Sequence, residues 1–320
     1  MRLLVTGGSG FLGGHVLAEA ARRGHSCVAL ARSREAARTV AALGATPLAG
    51  DLDDRPALTG SFASADCDAL LNLASLGFGH APAIVDAALG AGLDRAVFVS
   101  TTAVTTALTA RSKAVRLAAE QVIRASGLKW TILRPTMIYG APGDRNLSRL
   151  LALFALFARA ERALPVSLVV PVPLILPVPG GGRRLQQPVH VADLAEAVLT
   201  AVERPETAGR GYDVAGPDPM TFADLLRAAA AAVGCRVRLV PVPLGPVIAL
   251  TRGYERVSRA PKIRAEQWQR LAEDKAFPIE AAGRDLSYAP RSFGEGIRAE
   301  AALLFHEDAS RVLAGYPAER

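Results

Sequence analysis

A chain of 320 residues, half of them apolar and 21% charged, has room for one large α/β unit or two smaller domains and has the balance of a soluble globular enzyme. Aromatic residues are only 5%, so the core must be built mainly from Ala, Val and Leu. The formal net charge is +7, but the four lysines and 33 arginines are scattered in ones and twos, with no run longer than Arg22-Arg23 or Arg183-Arg184, which argues against a surface that tracks nucleic-acid phosphates.

Residues 2–6 (RLLVT) read as a short apolar strand. A glycine cluster follows, then a helix pattern, FLGGHVLAEAARRG, ending at Gly24. SCVALA (26–31) is a second strand, and SREAARTVAAL a second helix that stops at Gly44. ATPLAG, ending just before Asp51, is a third strand, with a short polar helix around 55–60 after it. DALLNLA (68–74) and RAVFVS (95–100) are the fourth and fifth strands, separated by a helix over about 81–91. A long helix over about 108–125 and a sixth strand, KWTILRP (129–135), complete the series. Strands and helices alternating with short connections predict a doubly wound parallel sheet of the Rossmann type, with a smaller α/β C-terminal substrate domain. The strands are continuous apolar runs, as burial on both faces requires.

The rhythm breaks after Gly140. Residues 147–159 have a very apolar helical pattern. ALPVSLVVPVPLILPVPGGG then carries five prolines, which argue against a transmembrane helix. The expectation is an extended segment buried against the substrate domain. The alternative is an amphiphilic surface that touches a membrane or a lipid-like substrate. QPVHVADLAEAVLTAV (187–202) reads as a strand, an N-cap at Asp193 and a helix. RGYDVAGPDPMTFADLLRAAAAAVG repeats the theme with Thr221 as N-cap. The expected domains are 1–140 plus about 187–204 for the nucleotide, and 141–186 plus 205–320 for substrate or partner. The N-terminus enters a strand with no leader, so an unexported, cytoplasmic protein is expected. Cys27, Cys67 and Cys235 form no CxxC pair, and the five histidines lack ligand spacing, so no metal site is expected.

The turn between the first strand and helix reads Thr6-Gly-Gly-Ser-Gly-Phe-Leu-Gly13. Gly7 permits a tight turn, Gly10 lets a pyrophosphate approach the backbone, and Gly13 lets helix and strand pack closely. The helix N-terminus offers unpaired N–H groups and a favourable dipole to the phosphates. Ser9, Phe11 and Leu12 complete the candidate loop. The end of the second strand selects the nucleotide. An acid there would accept ribose hydroxyls, but the sequence has Arg32-Ser33 and no acid before Glu35. Arg32 can pair bidentately with a 2′-phosphate and Ser33 can add a hydroxyl, so NADP is favoured, with NAD the alternative. Asp51, with Leu52 beside it, sits at the carboxyl edge of the sheet, where it would accept the adenine amino group or cap the next turn. Ala74 and Ser75 occupy the same edge.

TGGSGFLG (6–13), GDL (50–52), LNLA (71–74), FVST (98–101), SKAVRLAAEQ (112–121), TILRPTMIYG (131–140) and QPVHVADLAEA (187–197), in this order, resemble the extended short-chain dehydrogenase/reductase superfamily. The resemblance is nearest to atypical members grouped with the complex I 39 kDa accessory subunit and with NmrA-like proteins. It implies a Tyr general acid/base four residues before a Lys that lowers its pKa, and a hydroxyl after the fifth strand that holds the substrate oxygen. Lys113 fits the lysine position, which also bonds the nicotinamide ribose. Ser100, Thr101 and Thr102 fit the hydroxyl position. Pro135–Met137 would pass beside the nicotinamide. The tyrosine position holds Thr109, whose hydroxyl does not titrate in the useful range. Tyr139, after the sixth strand, is the substitute candidate, or a packed aromatic. Three readings follow: an NADP-dependent oxidoreductase acting on a hydrophobic carbonyl or quinone-like molecule, a non-catalytic NADP(H) sensor or structural subunit, and an NAD-dependent sugar-nucleotide epimerase or dehydratase.

Overall fold

Seven short segments form one parallel sheet; the inner strands are apolar and buried on both faces, whereas the two edge strands are partly exposed. They are β1 (Arg2–Thr6), β2 (Ser26–Ala31), β3 (Thr46–Ala49), β4 (Ala69–Asn72), β5 (Arg95–Val99), β6 (Lys129–Pro135) and β7 (Arg210–Val214). Their order in the sheet is β7-β6-β5-β4-β1-β2-β3. The order reverses between β1 and β4, where Leu3 pairs with Ala69 and Thr6 with Asn72. In doubly wound sheets this switch point is where ligands collect. The computed structural model describes residues 1–108, 111–140, 144, 147–163, 173–258, 265–270 and 272–306.

Helices α1 (Phe11–Arg22), α2 (Arg34–Ala42), α3 (Arg55–Ser64), α4 (Ala81–Gly90), α5 (Arg111–Ala125), α6 (Val191–Glu203) and α7 (Glu280–Leu286) accompany the sheet. Leu4, Leu70, Phe98 and Ile132 of the strands pack with Phe62, Ile84 and Ile123 of the helices. Each side chain of this size contributes roughly 1.5–3 kcal/mol on burial. The charge of Arg95 is also buried. The Arg95 guanidinium donates to Thr131 Oγ1 at 2.9 Å, to Thr207 Oγ1 at 2.8 Å, and to the Lys129 and Ala201 carbonyls. It therefore ties β5 and β6 to the chain around α6.

The chain divides into two units. The first comprises Met1–Thr136, Val191–Ala215 and Pro278–Pro290; the second comprises Met137–His190, Gly216–Phe277 and Arg291–Arg320. These limits differ from the expected ones. Residues 205–215 return to the sheet edge as β7, where Tyr212 and Val214 are buried. Residues 278–290 also belong to the first unit. Residues 137–140 and 187–190 belong to the second, where Ile138–Tyr139 pairs with Val189–His190. Asp193, expected as an N-cap, lies in the first turn of α6, because the helix starts directly after His190 at Val191. Thr221 does cap the helix Phe222–Ala232, accepting from the Asp224 N–H at 3.1 Å.

In the second unit the helices Ser148–Ala163, Phe222–Ala232 and Phe293–His306 bury Leu151, Phe154, Leu225, Ala229 and Ile297 in one core. The proline-bearing strand Leu174–Pro179 pairs in parallel with Val237–Val242. That part of the expected extended segment is extended, but only alternate residues are turned inward. Residues 164–172 lie outside the described residues. Among the described residues no helix is long and apolar enough to cross a membrane.

A buried carboxyl pair sits in this unit. Asp144 accepts the Leu147 and Ser148 N–H groups at 2.7 and 3.2 Å and so caps the Ser148–Ala163 helix. Ser148 Oγ also donates to Glu300 at 2.7 Å. Burial, and then the charge of Asp144, push the Glu300 carboxyl from 4.5 up to about 8. Between those values the folded unit holds a proton that the unfolded chain releases, so stability falls as pH rises through this window. Thermal denaturation should show the melting temperature dropping from pH 5 to pH 9. Glu300→Gln, neutral throughout, should flatten that slope. An unchanged slope in the variant would assign the pH dependence elsewhere.

Candidate functional site

The glycine turn joins β1 to α1 at the switch point. Gly7 has φ +73°, and a Cβ on it would stand 2.7 Å from the Ala74 nitrogen. A Cβ on Gly13 would stand 2.3 Å from the Gly7 carbonyl oxygen and 2.5 Å from that of Gly8. The Gly10 N–H closes the turn on the Gly7 carbonyl at 3.0 Å. Gly10 then caps α1 with no side chain, and no acid stands in the first turn. Gly14 donates to the Gly10 carbonyl at 3.0 Å, so the N–H groups of Phe11, Leu12 and Gly13 precede that bond. Leu12 is buried, Phe11 half-buried and Ser9 exposed. Such a backbone cradle can take a phosphate pair, with dipole and donors of the right sign.

Two polar residues missed in the sequence hold the cradle. Thr6 Oγ1 donates to Asn72 Oδ1 at 2.7 Å, and Asn72 Nδ2 donates to the Ala74 carbonyl at 3.1 Å. Both side chains are fully buried. They fix the 72–75 segment against the turn. The only sequence signal was an Asn inside an apolar strand. Ser75 is exposed and caps a short turn by accepting from the Gly77 N–H at 3.2 Å.

Arg32 is exposed at the end of β2 and makes no ion pair among the described residues. Ser33 caps α2, its Oγ accepting from the Ala36 N–H at 3.1 Å, so its own proton stays available to donate. Asp51 is half-buried; one oxygen accepts the Asp53 N–H at 3.1 Å and holds the turn into α3. Leu52 packs against the first unit's core.

Beyond β5 the three candidate hydroxyls are not equivalent. Ser100 Oγ donates to Glu120 at 2.8 Å. Glu120 is buried and bidentate with Arg134, at 2.9 and 2.5 Å. Burial alone would raise the Glu120 pKa, but the bonds from Arg134 and Ser100 hold it below the ordinary value. Thr102 is buried and donates to the Pro135 carbonyl at 3.3 Å. Thr101 is half-buried and accepts the Ala103 N–H at 3.2 Å, which leaves its hydroxyl proton free to donate. Lys113, half-buried on α5, donates its Nζ to the Thr106 carbonyl. Thr109 lies outside the described residues.

The remaining candidates are in the second unit. Tyr139 is 1% exposed and packed edge-on to His190 at 5.3 Å and against Phe293 at 5.1 Å. That is the surrounding of a core aromatic, which argues against a proton donor reachable by substrate. Met137 instead lines a cavity of about 560 Å³ with Leu147, Leu150, Leu176, Phe222 and Trp268. Among the described residues that line it, none is charged. The groups that build this cavity come from separate segments, so no local motif announces it. Among the described residues no group of acids, histidines or cysteines has the arrangement of a metal site.

A family described as NAD(P)H-binding matches residues 7–150. Over 91% of this chain and 92% of the relative, the sequence is 30% identical to the 4-hydroxy-2-methyl-3-oxo-4-farnesyl-3,4-dihydroquinoline-1-oxide ketoreductase of Stigmatella aurantiaca. It is 28% identical to the 2-alkyl-3-oxoalkanoate reductase of Stenotrophomonas maltophilia, over 93% of this chain and 98% of that protein. Among solved structures, the UDP-glucose-4-epimerase of Stenotrophomonas maltophila with bound NAD superposes with a TM-score of 0.71 at 20% identity, over 97% of this chain and 99% of the other. At that identity the likeness speaks for the fold.

Proposed function

Since the chain belongs to the short-chain dehydrogenase/reductase superfamily, as an NAD(P)-binding, reductase-like protein, we propose that it is an NADP(H)-dependent ketoreductase for a small ketone bearing an apolar chain. The observation that carries the nucleotide reading is the uncommitted Arg32 at the end of β2, where an acid would be needed to hold ribose hydroxyls. Its guanidinium can take a 2′-phosphate bidentately, with the Ser33 hydroxyl beside it. The substrate reading is supported by the uncharged cavity of the second unit. It is supported also by two relatives whose names pair an oxo group with a farnesyl or alkyl chain.

The glycine cradle, Thr6 and Asn72 would hold the nucleotide's phosphates and the segment beside them. The reduced nicotinamide, when bound, supplies the hydride. The chain must hold the carbonyl oxygen and deliver a proton to it. Ser100 and Thr102 spend their protons on Glu120 and the Pro135 carbonyl. Thr101 is therefore the hydroxyl we assign to the substrate oxygen. With Thr109 in place of a phenol, Lys113 Nζ is the assigned proton source and the positive charge beside the developing alkoxide.

Nucleotide titration of Arg32→Asp tests the nucleotide reading. Losing charge-assisted bonds worth roughly 1.5–3 kcal/mol should weaken NADPH binding about 10- to 100-fold and improve NADH binding. An unmoved NADPH-to-NADH ratio would remove Arg32 from the site. Thr109 also favours a second reading, a protein that binds NADP(H) without turning it over. The epimerase reading has only the shared fold behind it.

A further inference from the structure

The helix Leu244–Val257 has one apolar side, partly covered and partly open. Val247 lines the cavity of the second unit, and Thr251 accepts the Trp268 indole N–H at 3.0 Å. The open part carries Leu250, Tyr254 and Val257, which are 75%, 43% and 87% exposed. Their spacing of i, i+4 and i+7 puts them in one stripe. Arg252 and Arg256 are also exposed. At about 100° per residue they lie together on the side of the helix roughly opposite the stripe. The helix has one acid, Glu255, and it is turned inward to accept the Ala265 N–H at 3.1 Å.

An apolar stripe with guanidiniums on the opposite, polar side of the helix, and no acid facing out, is complementary to one kind of surface: apolar beneath, negative above. We propose that this helix docks on an anionic lipid bilayer. Leu250, Tyr254 and Val257 enter the boundary between headgroups and acyl chains, and Arg252 and Arg256 reach the lipid phosphates on their long stems. The formal net charge of +7 adds a general attraction to such a surface. The same helix walls the apolar cavity, so docking brings that wall to the place where an apolar ketone partitions. This last consequence rests on the ketoreductase reading; the docking does not.

The test is co-sedimentation of the full chain with vesicles of phosphatidylcholine alone and with added phosphatidylglycerol, read without any turnover. The bound fraction should be negligible on the neutral vesicles, rise steeply with phosphatidylglycerol and fall at high salt. Leu250→Asp/Val257→Asp should reduce anionic-vesicle binding at least tenfold with an unchanged melting temperature. Arg252→Gln/Arg256→Gln should weaken it several-fold and remove most of the salt dependence. No binding to anionic vesicles, or equal binding by the stripe variant, would overturn the proposal. So would a wild-type dimer that becomes monomeric in the stripe variant, since a second copy would then be the occupant.

Discussion

Gly13→Val should abolish measurable NADPH binding, raising the dissociation constant by at least about 100-fold, which corresponds to roughly 2.7 kcal/mol. The reason is steric and local. The added Cβ would sit 2.3 Å from the Gly7 carbonyl oxygen and 2.5 Å from that of Gly8. Neither atom belongs to a flexible side chain, so the turn itself must open. Opening it moves the N–H groups of α1 away from the phosphate position and separates α1 from β1. The melting temperature should fall as well. Gly14→Ala is the control. Its Cβ would meet only Leu43 Cδ1 at 3.7 Å, in ordinary contact. Alanine in a helix interior is favoured over glycine by roughly 0.5–1 kcal/mol, so this variant should bind NADPH normally and melt slightly higher. Fluorescence titration and thermal denaturation of the pair separate a specific cradle from a merely glycine-rich loop.

The second large effect concerns chemistry rather than binding. Lys113→Met keeps the length of the side chain and removes its charge and proton. If Lys113 protonates the substrate oxygen, kcat should fall by about 10²- to 10⁴-fold, the range for a lost general acid, while the KM for ketone moves little. Thr101→Val should cost less and act mainly through hydrogen bonding to the same oxygen. Serine 100 and threonine 102 give the contrast, because Ser100→Ala and Thr102→Val disturb bonds to Glu120 and the Pro135 carbonyl and should show first as lost stability. Turnover by Lys113→Met equal to wild type would remove Lys113 from the reaction.

The first unit was legible because its signals are local. A strand, a glycine turn and a helix start within 13 residues, and the apolar runs at 26–31, 95–100 and 129–135 match β2, β5 and β6 to within a residue. Local signals fail where the partner is distant in sequence. Ser100 reads as a free hydroxyl until Glu120, twenty positions on, is brought beside it by α5. Thr6 and Asn72 reveal their shared role only when β1 and β4 pair. Strand β7 was missed as part of the sheet because RGYDV has no continuous apolar run; its place comes from pairing with β6. Tyr139, after the sixth strand, could be read as a substitute proton donor or as a packed aromatic; its ring contacts with His190 and Phe293, both distant in sequence, match the second. The apolar cavity collects side chains from segments spread over 137–268, which no sequence window contains.

The most direct test of the account is the initial rate of NADPH and NADH oxidation with a series of 2-alkyl-3-oxo acids of increasing chain length. An NADP(H)-dependent ketoreductase with an apolar chain site predicts ketone-dependent NADPH oxidation. Its kcat/KM should rise with chain length until the cavity is filled, and NADH should serve poorly. NADPH that binds tightly but is not oxidised with any ketone of the series would contradict it and leave a nucleotide-binding protein without this chemistry.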